Sequence, residues 1–252
     1  MTSSSSETPK PAGPSRKVFN MIMTELKDLT PNVRELIIEN KSEDDFQFKA
    51  GQFIMLHVPV ENAKPALRAY SIASDDRVKN KFRLLFKYVD QGVASTFVWK
   101  LNGSETLQFT GPFGRVFFKE PPTPRIVFLN TGTGLAQHAS YLESKLEFFP
   151  QTEFHMLFGI RNEQEIYFEK ELNILTQKFS NFKYDIVLSR PNPQWTGKVG
   201  YVQNHLSPFV DTLAQTPTSF YLCGNGGMIK EVKSILQNEN FDMTHVHSEA
   251  FD

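Results

Sequence analysis

Arg68, Tyr70 and Ser71 stand close together in the stretch Arg68-Ala-Tyr70-Ser71-Ile-Ala-Ser74. A guanidinium beside a phenol offers a phosphate clamp next to an aromatic platform. Strand alternation would put Arg68, Tyr70 and Ile72 on one face and Ala69, Ser71 and Ala73 on the other. Taken alone, the stretch fits a surface arginine and a half-buried tyrosine equally well. Further along comes Lys87-Tyr-Val-Asp-Gln-Gly92-Val93-Ala94-Ser95-Thr96. Here a strand ends, Gly92 turns the chain and a short helix starts near Ala94. Backbone N–H groups at such a start bind anions, and Ser95 and Thr96 add hydroxyl donors. An ordinary capped turn has the same letters. Gly111-Pro112-Phe113-Gly114 makes a low, rigid bend on which a planar ring can rest, or a plain turn between domains.

A different chemistry is implied by Asn130-Thr131-Gly132-Thr133-Gly134-Leu-Ala136-Gln137, directly after an apolar strand and directly before a helix. Glycines at a strand-to-helix turn let a diphosphate approach the helix N-terminus. Gln137 stands where the usual dinucleotide fingerprint has its third glycine, and no acidic residue ends a second strand, which argues against a standard Rossmann dehydrogenase. Tyr221-Leu-Cys223-Gly224-Asn225-Gly-Gly-Met228 repeats the strand-to-helix context. A lone buried cysteine is usually inert packing, but strand ends of this kind line the ligand crevice of parallel sheets. Arg161 follows one strand, and Ser189-Arg190-Pro191 ends the next; arginines there suit a 2′-phosphate. His245 and His247 share a strand face without a third ligand at metal spacing, so no metal site is expected.

The elements that must position these residues fall into two rhythms. Residues 33–40, 51–60, 67–74, 81–89 and 105–114 are rich in β-branched and aromatic residues and are separated by polar turn clusters. With one brief helix over 94–101 they predict a small antiparallel barrel. Adjacent prolines at 121–124 then break the chain. Beyond them, strands at 125–130, 152–160, 184–189, 219–224 and 243–248 alternate with helices at 135–149, 163–179 and 228–240. That alternation predicts a parallel sheet covered on both faces. The expected organisation is therefore a tail over 1–16, an antiparallel Greek-key barrel over 17–120 and a parallel-sheet α/β domain with phosphate-cradling turns over 121–252. The first 16 residues, dominated by serine, proline and glycine, read as flexible.

Composition narrows the function. The 252 residues carry 27 Lys+Arg and 28 Asp+Glu, a net charge of −1 that argues against nucleic acid as the main partner. One cysteine excludes an intrachain disulfide framework and a self-contained iron–sulfur domain. The apolar runs are too short to span a bilayer, and the N-terminus lacks an apolar signal region, so a cytoplasmic setting is expected.

Read in order, these motifs resemble those of the ferredoxin–NADP reductase superfamily. R-x-Y-S is matched by Arg68, Tyr70 and Ser71, and G-x-x-S by Gly92 and Ser95. G-P-x-G is matched at 111–114, G-T-G-x-A at 132–136 and C-G-N-x-x-M at 223–228. The resemblance covers about residues 18 to 252. It implies FAD as cofactor and NADPH or NADH as substrate. Tyr70 would stack on the flavin, Arg68 would hold its diphosphate, and Ser71 would hydrogen-bond near flavin N5. Lys87, Gly92, Val93, Ala94, Ser95, Thr96, Gly111 and Phe113 would complete the flavin site. Thr131, Gly132, Thr133, Gly134, Gly224, Asn225 and Met228 would cradle the nicotinamide nucleotide, with Arg161, Ser189 and Arg190 at a 2′-phosphate. Cys223 would lie beside the nicotinamide C4, from which hydride passes to the flavin. The ending Glu249-Ala-Phe251-Asp252 resembles the family's acidic–x–aromatic close, so Phe251 would cover the flavin's other face and Glu249 would sit near the reacting edge. The family usually has proline where this chain has Gln137, and it ends on the aromatic where this chain adds Asp252.

The expected activity is transfer of reducing equivalents from NAD(P)H through FAD to a separate acceptor such as ferredoxin or flavodoxin, by a monomer. The arginines lean the coenzyme choice toward NADPH. A free-flavin reductase and the reductase component of an oxygenase are alternatives, and a non-catalytic nucleotide sensor or electron-transfer subunit is a rival from another class.

Overall fold

The computed structural model describes residues 17–251. The expected tail at 1–16 and Asp252 lie outside the described residues. The first half is an antiparallel sheet of β1 (Val18–Thr30), β2 (Val33–Glu39), β3 (Phe53–Val58), β4 (Ala66–Ser71), β5 (Lys81–Lys87) and β6 (Thr106–Phe113). Its order is β4-β3-β6-β1-β2-β5. A bridge between Ile72 and Leu84 brings the two edge strands together and closes the barrel. Period-two patterning fills the interior: Phe19, Met21 and Met23 from β1, Ile54, Leu56 and Val58 from β3, and Phe82, Leu84 and Phe86 from β5 are all buried. Phe46, from the loop before β3, plugs one end, 5.3 Å from the Phe19 ring and 5.0 Å from Phe82. A short helix, α1 (Val93–Val98), follows β5.

The second half is a parallel sheet of β7 (Arg125–Thr131), β8 (Glu153–Ile160), β9 (Phe182–Leu188), β10 (Lys198–Val199), β11 (Thr218–Gly224) and β12 (Val246–Ala250), with α2 (Leu135–Lys145), α3 (Glu169–Lys178), α4 (Ser207–Val210) and α5 (Gly226–Asn238). Alternate residues of β7 feed two cores. Ile126 and Phe128 pack with Leu135, Leu142 and Tyr221, whereas Val127 and Leu129 pack with Phe220, Leu222, Val232 and Leu236. Continuous apolar strands covered on both faces give this pattern. The strand order is β10-β9-β8-β7-β11-β12. The chain runs outward from β7 through β8 and then returns to β7's other side at β11. This reversal leaves a crevice outside the carboxyl ends of β7 and β11, where open α/β sheets take their ligands.

Helix α2 locks the halves together. Nearly every residue of it is buried, because the sheet covers one side and the barrel the other. Tyr141 Oη donates to the Val116 carbonyl and Ser140 Oγ to the Ser74 carbonyl, each at 2.6 Å. Glu143 pairs with Arg83 of β5.

The structure corrects several expected elements. The segment 163–179 is not one helix: a 3₁₀ turn over Glu163–Glu165 precedes α3, and between them Phe168 turns at φ 64°. Tyr167 and Phe168 are both buried at that break. The helix over 135–149 gives way to a 3₁₀ turn at Leu146–Phe148, and His245 lies in a 3₁₀ turn rather than on the strand with His247. The alternation expected through Ala73 stops at Ser71, where β4 ends; Ser71, Ile72 and Ala73 are all buried. β1, β10 and α4 were not among the expected elements.

Candidate functional site

At the topological reversal the chain ends of β7 and β11 touch. The Asn225 N–H donates to Thr131 Oγ1 at 2.9 Å, and the Asn225 side chain caps α5 by accepting from the Met228 N–H at 3.2 Å. Gly134 packs against the Cys223 carbonyl so closely that any Cβ there would strike it. Tyr167 Oη donates to the Gly132 carbonyl at 2.8 Å and tethers the glycine turn from below. Phe251 donates its N–H to the Gly224 carbonyl at 3.0 Å, which draws the C-terminal segment across the same strand ends.

Two clefts result. The first, about 750 Å³, is lined by Thr131, Gly132, Thr133, Gly224, Asn225, Met228 and Phe251, by Arg161, Ser189 and Arg190, and by Lys87 from the barrel. Residues from all the nucleotide motifs thus meet around one space. Sequence reasoning missed Tyr201, Gln203, Glu165 and Glu231 in this lining. The signal was the run Gly200-Tyr201-Val-Gln203 after a strand end; Tyr201 is 61% exposed, unusual for a tyrosine unless it serves as a platform. The second cleft, about 690 Å³, is lined by Gln52, Phe53, Pro112, Phe113, Gly114 and Arg115 from the barrel half and by Ser248, Glu249 and Ala250. The end of β12 separates the two: Phe251 faces the first, and Glu249 the second.

Arg68, Tyr70, Ser71, Gly92, Val93, Ala94, Ser95, Thr96 and Cys223 lie outside these linings. Arg68 is exposed, donates only to the neighbouring Leu67 carbonyl at 2.9 Å and has no acidic partner among the described residues. Tyr70 packs its ring 4.1 Å from that of Phe86, and burial pushes its phenol up to about 12. Ser95 donates to the Val89 carbonyl at 2.6 Å and to the Gly92 carbonyl at 3.1 Å, so its hydroxyl closes the turn rather than pointing outward. Val93, Ala94 and Thr96 form the first turn of α1, which has no side-chain cap. Lys87 is paired with Glu165 at 3.0 Å, and Arg161 lies 4.0 Å from the same carboxylate. Cys223 is fully buried, one residue behind the cleft lining, and burial holds its thiol well above its ordinary value. Glu249 is raised by burial and lowered by a hydrogen bond from Gln137.

The buried polar atoms test whether a flavin and a nicotinamide nucleotide suit this chain. Ser71 Oγ on the barrel and Gln203 Oε1 in the first cleft are buried without a partner. A buried unpaired oxygen costs about 1–3 kcal/mol unless another group satisfies it. Beside Gly132, where an added Cβ would meet nothing within 4 Å, the turn is open to a close-lying group. The unpartnered Ser71 hydroxyl fits a flavin, and the open Gly132 turn with the Gln203 oxygen, an acceptor, fits a nucleotide; the other two unpartnered atoms, Asn130 Oδ1 and His138 Nε2, lie in the core.

Fold and site define a two-module, nucleotide-dependent oxidoreductase: a flavin-type barrel joined to a parallel sheet with a ligand crevice at its strand reversal. Residues 20–118 match the oxidoreductase FAD-binding domain and residues 128–234 the oxidoreductase NAD-binding domain. The chain is 32% identical over 240 residues to ferredoxin–NADP reductase B of Sorangium cellulosum, covering 93% of this chain and 98% of that one. It is 29% identical to the anthranilate 1,2-dioxygenase electron transfer component of Acinetobacter baylyi, covering 81% of this chain but 58% of that longer protein. Among solved structures, a ferredoxin NADP+ reductase from Neisseria gonorrhoeae with bound FAD and NADP superposes with a TM-score of 0.80 at 22% identity, covering 93% of this chain and 98% of that one. The chain belongs to the ferredoxin–NADP reductase family. It is an FAD-dependent oxidoreductase that uses NAD(P)H, an enzyme rather than a nucleotide sensor. Among the described residues, no helix is long and apolar enough to cross a membrane.

Proposed function

We propose that this enzyme oxidises NADPH, ahead of NADH, and delivers the electrons to a separate small redox protein, a ferredoxin or a flavodoxin. The observation that carries the reading is the shared cleft, in which the nucleotide motifs, barrel residue Lys87 and the C-terminal Phe251 line one space. When bound, FAD accepts two electrons and can release them singly. Oxidation of one NAD(P)H yields NAD(P)+, two electrons and one proton, so the site needs a group that can take up and pass on one proton. With one cysteine in the chain, no iron–sulfur cluster can be built internally, and the acceptor is a second molecule.

The residues divide the work by chemistry. Arg68, the amides over Gly92–Thr96 and Lys87 suit the FAD diphosphate. Tyr70 and Phe251 suit the two ring faces, and Gly111 and Phe113 the bend beside them. Ser71, with its unpaired Oγ, suits the reacting nitrogen. Thr131 to Gly134, Gly224, Asn225 and Met228 suit the coenzyme diphosphate and nicotinamide; Arg161, Ser189 and Arg190 suit a 2′-phosphate. Cys223 is held as a neutral thiol, so its part is to pack beside the nicotinamide and not to attack it. Glu249, half-buried on the rim of the second cleft, is the carboxylate that can hold the departing proton.

The division into a flavin module over 17–120 and a nucleotide module over 121–252 is supported by Pro121–Pro124 falling between β6 and β7. A cytoplasmic setting is supported by a single free, buried cysteine, which suits a reducing compartment. The oxygenase-component reading draws on the likeness to the anthranilate dioxygenase electron transfer component.

Absorbance spectra of the purified protein, before and after anaerobic NADPH and then NADH, test the coenzyme half. Bleaching of a yellow chromophore is expected; a protein that stays colourless after refolding with FAD overturns the reading. Steady-state rates with ferredoxin, flavodoxin and free FMN then separate the acceptors.

A further inference from the structure

Gln137 occupies the first turn of α2 and is 1% exposed, an uncommon burial for an amide side chain. Its Nε2 donates in two directions: to the Glu249 carboxylate on β12, and to the Gly51 carbonyl of the loop before β3 at 3.2 Å. One side chain therefore joins the helix after the glycine turn, the C-terminal strand and the barrel. A proline at this position could offer neither donor.

We propose that Gln137 is a positioning residue that holds the Glu249 carboxylate on the rim of the second cleft, using the Gly51 carbonyl as its fixed anchor. The proposal rests on the role given above to Glu249. A carboxylate is an acceptor only, so a directed amide N–H favours its ionised form. The Gly51 bond fixes the second amide hydrogen and hence the direction of the first. The other charged or titratable groups facing Glu249 do not replace this contact. Cys223, its register partner on β11, is a neutral thiol. Tyr141, on α2, donates to the Val116 carbonyl and feels Glu249 as a repelling charge. Arg115 lines the same cleft without an ion pair to it, and His247, two residues away on β12, packs its ring 4.7 Å from that of Tyr221. Gln137 is thus the donor to Glu249 among the described residues.

The test uses the FAD-loaded full chain, assayed across pH at saturating NADPH for kcat/KM with ferricyanide as the one-electron acceptor, the half of the cycle in which the proton leaves, for wild type, Gln137→Met and Glu249→Gln. Methionine keeps the length and loses the donors. In wild type an acid limb set by Glu249 is expected, and Glu249→Gln is expected to abolish it. Gln137→Met is expected to move it upward by about one pH unit, the order expected for loss of one hydrogen bond to the charged form. A limb that is unchanged in Gln137→Met but lost in Glu249→Gln overturns the proposal and leaves the Glu249 role standing. A limb retained in Glu249→Gln overturns both. Should Gln137→Met fail to fold, the Gln137 side-chain amide is followed by NMR in the wild-type holoprotein. Its proton shift is expected to titrate with the Glu249 carboxyl, and a flat response overturns the proposal.

Discussion

Gly224 turns directly over Thr131. Its φ is +127°, and an added Cβ would strike Thr131 Oγ1, the same oxygen that accepts the Asn225 N–H at 2.9 Å. The ends of β7 and β11 can close on each other only because residue 224 has no side chain, and this closure shapes the floor of the 750 Å³ cleft. Gly224→Ala must relieve both a backbone conformation that L side chains rarely adopt and a clash with backbone as well as hydroxyl. A cost of roughly 1–3 kcal/mol is expected, a fall in Tm of roughly 2–10 °C. Calorimetry checks it, and the KM for the coenzyme should rise in parallel. An unchanged Tm would mean that the turn relaxes without cost.

Much of this floor was legible in the sequence. Glycines between an apolar strand and a helix carry a backbone requirement that is local, and so do the alternating Phe82, Leu84 and Phe86 of β5. β1 was harder to read. Its first half buries Phe19, Met21 and Met23, but its second half carries Glu25, Lys27 and Asp28 on the exposed side and has the composition of a loop. The break at Phe168 answers to the burial of Tyr167 beneath the Gly132 turn, a contact 35 residues away in sequence. The Gln137 clasp joins segments separated by 86 and 112 residues. No local propensity encodes either.

Arg68 is exposed and without an acidic partner among the described residues, so its removal should cost the apoprotein little. If it holds the FAD diphosphate, Arg68→Ala forfeits a charge-assisted contact worth about 1.5–3 kcal/mol, roughly a 10- to 100-fold weaker FAD Kd. Equilibrium dialysis against FAD measures this, with the apoprotein Tm as control. Equal flavin retention in the variant would remove Arg68 from the site.

Arg161 and Arg190 line the coenzyme cleft differently. Arg161 lies 4.0 Å from Glu165, which also takes Lys87, whereas Arg190 has no acidic partner among the described residues. The uncompensated guanidinium is the better phosphate reader. Arg190→Ala should therefore lower kcat/KM for NADPH by roughly 10-fold or more and leave NADH nearly unchanged, the loss of one charged hydrogen bond. Arg161→Ala should shift the ratio less. A ratio that stays constant in Arg190→Ala would assign the 2′-phosphate elsewhere.

His138 is completely buried on α2, with its Nδ1 3.1 Å from Asn130 Nδ2, its Nε2 unpartnered and its ring 4.8 Å from that of Phe128. Burial lowers its pKa from 6.5 to about 3, so the folded protein keeps it neutral. Between those values the unfolded chain binds a proton that the native chain does not. Stability therefore rises with pH there: the contribution is complete above about 6.5 and is lost as pH falls toward 3. The slope per histidine approaches about 1.4 kcal/mol per pH unit in the middle of that window. His138→Phe should flatten the dependence while lowering stability at neutral pH by about 1–3 kcal/mol, because the buried Asn130 amide loses its acceptor. Urea denaturation of both proteins at several values between pH 6.5 and 5 measures the two slopes. Parallel lines would show that His138 finds a proton-tolerant environment in the native state, and converging lines that its burial as a neutral ring governs the acid side of the stability curve.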